Sequence, residues 1–158
     1  MFTLMLFVLL PALALGSSAQ PAVSDTLETF ASQVEAAQRE LVQGRVEPFK
    51  ALWSRSADVT LTGGLGGAIE KGWERVCLRL DWVGSQYREG TRTHEEVARG
   101  EGQDFGYIVQ RETIRFKAAD GSLQVQELRT TMIFRREKSG WRIVHRHADA
   151  ATAKHPLR

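Results

Sequence analysis

Apolar residues Leu27, Phe30, Val34, Ala37 and Leu41 recur three and four positions apart, the spacing of one buried helix face, and Asp25 with Glu28 offers a cap and a first-turn carboxylate. Gly44 ends that helix. A second, short one is expected from around Pro48, with Phe49, Leu52 and Trp53 on one side. From Asp58 to Thr62 the apolar Val59 and Leu61 alternate with Thr60 and Thr62, a strand pattern that Gly63, Gly64, Gly66 and Gly67 then break. A third helix is predicted from about Glu70 to Tyr87, its stripe formed by Trp73, Val76, Cys77, Leu80 and Val83. Beyond it the period drops to two. Thr91 to Gly100 reads as a strand of low hydrophobicity, Phe105 to Lys117 and Leu123 to Glu137 as long strands, and Trp141 to Ala148 as the last. Asp120-Gly121 and Lys138-Ser139-Gly140 mark tight connections, so these strands form an antiparallel meander. Helices segregated from such a run predict an α+β domain in which the helices cover one face of a curved sheet.

The first segment belongs to none of these elements. Met1 to Gly16 is an uncharged apolar run, shorter than the roughly 20 residues of a membrane-spanning helix, and Ser17-Ser18-Ala19 supplies the small residues a signal peptidase requires. Residues 1–19 are therefore expected to be a signal peptide cleaved before Gln20, the alternative being an N-terminal buried helix or an uncleaved anchor. Cleavage takes 19 of the 158 residues and leaves 139, residues 20–158, enough for one domain and one core. A secreted or periplasmic product follows, with no membrane contact after cleavage. The lone Cys77 cannot make an internal disulfide and is expected to act as a small buried hydrophobe. Charge changes little in this picture. With 21 Lys+Arg against 19 Asp+Glu the balance is +2 and evenly mixed, which argues against nucleic acid as a partner. Sixteen of the basic residues are Arg, the side chain suited to holding a carboxylate or phosphate.

Three motifs carry more. They are Gly44 through Trp53 (GRVEPFKALW) running into Asp58-Val59-Thr60, the glycine cluster followed by Gly72-Trp73, and the tail Gly140-Trp-Arg-Ile-Val-His-Arg-His-Ala-Asp149. Together with the order of elements they resemble the SnoaL-like group of the nuclear transport factor 2-like superfamily, over residues 24–149. The resemblance implies a cone-shaped fold, a curved antiparallel sheet wrapped around N-terminal helices with a pocket open at the wide end. It implies a range of functions too, since members include isomerases, cyclases, dehydratases and proteins that only bind or assemble.

On the last strand His145, His147 and Asp149 share one face and Arg146 takes the other, provided no bulge intervenes. Two imidazoles and a carboxylate suit proton transfer and could also ligate zinc, although no metal site is assigned. The structural alternative packs one His beside Trp141 and Ile143 and leaves Asp149 solvated. Tyr107 is the candidate oxyanion donor. Arg111, Arg129 and Arg146 are candidate ligand anchors, with cross-strand ion pairing, Glu112 with Arg129 for instance, as the competing use. Trp53, with Trp73 and Phe49, either stacks on a ligand or fills the core. Resemblance to the association domain of calcium/calmodulin-dependent kinase implies pocket arginines, but the positions aligned with them are Val109, Thr131 and Ala148. No pair of acids matches ketosteroid isomerase, with Tyr107 and Asp58 only loosely in the wall. The glycine cluster lacks the Lys-Ser/Thr of a phosphate loop. The expected function is binding of a small organic molecule in an apolar pocket, with acid/base turnover that needs no cofactor. The alternative is a non-catalytic assembly module, and either form is expected to be a homodimer.

Overall fold

The computed structural model describes residues 26–153. The expected signal peptide, its cleavage site and Asp25 as a helix cap lie outside these residues. Within them the chain runs α1 (Leu27–Leu41), α2 (Glu47–Ala51), β1 (Thr60–Thr62), β2 (Glu70–Lys71), α3 (Trp73–Gln86), β3 (Arg88–Glu101), β4 (Phe105–Lys117), β5 (Leu123–Glu137) and β6 (Gly140–Ala150). One six-stranded sheet, curved and unclosed, takes the order β2-β1-β6-β5-β4-β3. The fold is α+β, as expected.

Local chemistry explains the boundaries. Thr26 caps α1, its hydroxyl accepting from the Thr29 N–H at 3.2 Å, and the apolar stripe from Leu27 to Leu41 is buried as predicted. α3 begins three residues later than its pattern suggested. Glu70 and Lys71 pair antiparallel with Leu61 and Thr60, and Gly72, at φ 83°, makes the left-handed break that lets the helix start at Trp73. Val76, Leu80 and Gly84 form its buried side, whereas Cys77 is only half-buried and sits 4.0 Å from Asp81 Oδ2, so the expectation of a core cysteine is corrected.

The meander β3-β4-β5-β6 is antiparallel throughout, and β1 adds to β6 in parallel, Thr60 opposite His145. The inner face of the sheet meets α1, α2 and α3 around a core that includes Phe30, Phe49, Trp53, Phe134, Trp141 and Ile143. Edge-on contacts of Phe30 with Phe134 at 5.6 Å and of Phe49 with Trp53 at 6.1 Å tie helices to sheet and α2 to the segment after it. One irregularity decides what faces inward. In the β5-β6 ladder Phe134 pairs with Ile143 and Ile133 with His145, so Val144 is an extra residue, a bulge that reverses the phase of β6 between Ile143 and His145.

Candidate ligand cavity

Because of that bulge, Arg146 and Ala148 continue the buried side of β6 that Trp141 and Ile143 begin. Arg146 thereby enters the cone, where it lines an interior cavity of about 40 Å³ together with Arg92 of β3 and Glu112 of β4. Gln38, Leu41 and Phe49 on the helix side, Leu61 of β1 and Leu80 of α3 give the rest of the wall a largely apolar character.

The three charged groups form one network. Arg146 Nη2 donates to Glu112 Oε2 at 3.0 Å, Arg92 Nη2 lies 3.0 Å from Glu112 Oε1, and Thr130 Oγ1 donates to the same oxygen at 3.0 Å. Arg92 Nη1 is paired with Glu35 of α1, which accepts from Gln110 Nε2 at 2.9 Å and lies 3.0 Å from His94 Nδ1. Glu112 is 1 % exposed. Burial alone would raise its carboxyl, but the Arg146 and Arg92 guanidiniums beside it outweigh that and bring it down to about 2, so it is ionised throughout the physiological range. Burial raises the Tyr87 phenol to about 12. Its hydroxyl is 3.1 Å from Gln126 Oε1.

The glycine cluster forms a partly exposed stretch of the wall. Gly63, Gly64 and Leu65 line the cavity yet are only half-buried, which places its mouth there. A Cβ on Gly64 would meet Leu128 Cδ2 at 2.6 Å, so a side chain there would press into the lining. Arg79 of α3 donates to the Gly66 carbonyl while its guanidinium lies 4.3 Å from the Trp82 ring, and this holds the loop against the helix.

The sequence-predicted residues divide between the two faces. Arg146 is inside. His145, His147 and Asp149 lie on the outer face, away from the cavity; His145 Nδ1 is 2.8 Å from Thr60 Oγ1, His147 is exposed, and Asp149 accepts from Arg129 Nε at 3.1 Å. Burial and the neighbouring His147 lower the His145 pKa. Arg111 and Arg129 also face outward, directly opposite one another across β4 and β5, with Glu95 3.9 Å from Arg111. The expected Glu112–Arg129 pair does not form, because the two side chains stand on opposite faces of the sheet. Tyr107 is exposed on the outer face, and Trp53 is a core residue that does not line the cavity. Of the positions aligned with pocket arginines, Val109 and Thr131 face outward and Ala148 is buried; the inward arginines are Arg92 and Arg146. Arg92, Glu112 and Gln38 were not among the candidates. Two residues apart on β4, Gln110 and Glu112 share one face of the strand, and that alternation is the signal the sequence offers for them. Among the described residues no three His, Cys, Asp or Glu gather to hold a metal, and no helix is long and apolar enough to cross a membrane.

A curved, unclosed six-stranded sheet covered by three helices is a fold this chain shares with nuclear transport factor 2-like proteins. Solved structures agree. A nuclear transport factor 2-like superfamily protein from Salmonella enterica serovar Typhimurium superposes with TM-score 0.65 at 18% identity, covering 82% of this chain and 96% of the other. A ketosteroid isomerase-like protein from Erwinia carotovora atroseptica gives 0.64 at 14%, covering 80% and 97%. The hub of the calcium/calmodulin-dependent kinase II of S. rosetta gives 0.62 at 16%, covering 78% and 95%. At these identities the likeness is one of fold. Within the class, the model of the SnoaL-like domain family matches residues 42–152, and the chain belongs to that family. A comparison with curated protein sequences found no match.

Proposed function

We propose that this protein binds a small organic molecule in the interior cavity, with Gln38, Arg92, Glu112 and Arg146 as its polar contacts. The observation that carries this reading is a charged network buried at the floor of an otherwise apolar cavity, a pattern of few convergent polar groups in an apolar setting that ligand sites share. A carboxylate held at about 2 has little affinity for a proton, and His145 and His147 lie on the outer face, so the reading is binding without acid/base catalysis. A thermal-shift screen of small polar organic molecules tests it. Stabilisation that is lost in an Arg146→Met protein supports the cavity, and no stabilised hit at millimolar concentration overturns it. Export after removal of Met1 to Ala19 is part of the proposal, and an N-terminal sequence of the recovered product beginning at Gln20 is the expected result.

A second reading rests on the outer face, where Phe105 and Tyr107 are 53% and 44% exposed beside Ile133 of the neighbouring strand. Large apolar side chains grouped on an uncovered sheet favour pairing with a second copy. The structural neighbour from S. rosetta is described as a hub, which fits the same idea. Sedimentation of the wild type as a dimer, and of Tyr107→Glu as a monomer, is expected; a monomeric wild type at tens of micromolar excludes it.

A further inference from the structure

The chemical class of the cavity's occupant follows from two polar atoms that lack partners, and the inference rests on the cavity reading above. Arg92 commits Nη1 to Glu35 and Nη2 to Glu112 and Gln110, but its Nε is buried with no acceptor. Gln38, 2 % exposed, turns Nε2 toward Met132 Sδ at 4.0 Å and leaves Oε1 buried with no donor. A thioether sulfur can only accept, so the free atom of this amide is its oxygen. Both residues line the same cavity. One unpaired donor and one unpaired acceptor, each out of solvent, call for an occupant that supplies the complement of both.

Charge narrows the class further. Arg92 and Arg146 are matched by Glu35 and Glu112, so the floor is already neutral. An anion entering it would add an uncompensated charge in a place largely shielded from water. We propose that the cavity takes an uncharged head group that both accepts and donates a hydrogen bond, a primary amide or an alcohol, in preference to a carboxylate. Its oxygen accepts from Arg92 Nε, and its N–H or O–H donates to Gln38 Oε1. About 40 Å³ sets the size. At roughly 10–15 Å³ for each water-sized position, the head group has three or four heavy atoms, and the body of a larger ligand leaves past Gly64 and Leu65. Water satisfies the same two atoms, so affinity must be compared between probes of equal size that displace the same water.

Acetamide and acetate are such a pair. NMR titration of each into the full folded protein at pH 7.5 reads the Gln38 side-chain and Arg92 Nε–H signals, and acetate is expected to bind about tenfold more weakly than acetamide. Glu112→Gln and Glu35→Gln each leave the floor with one net positive charge, and in either variant the order should reverse. Two variants are used because Glu112 is the more deeply buried, and one that folds suffices. Equal or tighter binding of acetate to the wild type overturns the proposed class while leaving the cavity reading intact. If neither probe moves those signals, the class and the cavity reading fall together. A folded variant that still prefers acetamide removes the charge argument.

Discussion

Glu112 of β4 and Asp149 of β6 are carboxylates on the two strands that flank β5, each paired with arginine, and the sheet between them makes them different objects. Glu112 has lost its water and is held by Arg92, Arg146 and Thr130; Asp149 meets Arg129 with their side chains 44% and 57% exposed. The inner pairing replaces a hydration shell that cannot return if a partner is removed. On the outer face water stands ready to substitute. The same residue types therefore fix the interior and merely decorate the exterior.

The largest expected contrast is in stability. Glu112→Ala leaves two guanidiniums buried without their shared counter-charge and should cost about 3–5 kcal/mol in urea denaturation. Asp149→Ala breaks a pair that solvent screens and should cost no more than about 1 kcal/mol. Similar losses from the two substitutions would mean that water reaches the cone floor freely, and the distinction between the faces would go.

Acid and salt sharpen it next. The Glu112 carboxyl sits at about 2 against an ordinary 4.5, so its contribution is complete above 4.5 and drains away as pH falls toward 2. Wild-type stability should decline over that window, and Glu112→Gln should flatten the decline. Arg129 also holds the Asp149 carboxyl below its usual value, but this pair is exposed, and raising salt to about 1 M, where the screening length is near 3 Å, should erase its share. An acid slope that survives Glu112→Gln unchanged and vanishes in salt would assign it to the surface.

The sequence disclosed most of this architecture and least of the site, for one reason. β4 and β5 were legible to the residue, because Gly121 at φ 84° and Gly140 at φ 99° mark the turns and the alternation of β4 is unbroken. β3 carried no such alternation. Its inward side chains include Arg92, buried by ion pairs rather than by apolarity, so hydrophobic patterning passes over the residue that matters most. On β6 the pattern gave two incompatible phases. Counting from Trp141 and Ile143 puts His145 inside; counting from Ala148 puts Arg146 inside. Only the bulge at Val144 reconciles them, and a bulge is written in the pairing with β5, not in β6 itself.

That bulge sets up the smallest test. His145, turned outward, keeps a bond to Thr60 and is half-buried beside β1, and burial with the adjacent His147 lowers its pKa from 6.5. Among the described residues no carboxylate favours the charged ring: Thr60 on β1, Ile133 on β5 and His147 on its own strand are neutral or of like charge. The folded state thus prefers the neutral ring, and the unfolded chain takes up the proton first as pH falls below 6.5, so wild-type stability should drop there. His145→Gln, which retains a partner for Thr60, should remove that slope. Because the ring is partly solvated, the change is at most about 0.5 kcal/mol. A larger slope, or one unaffected by the substitution, would place the titrating group elsewhere.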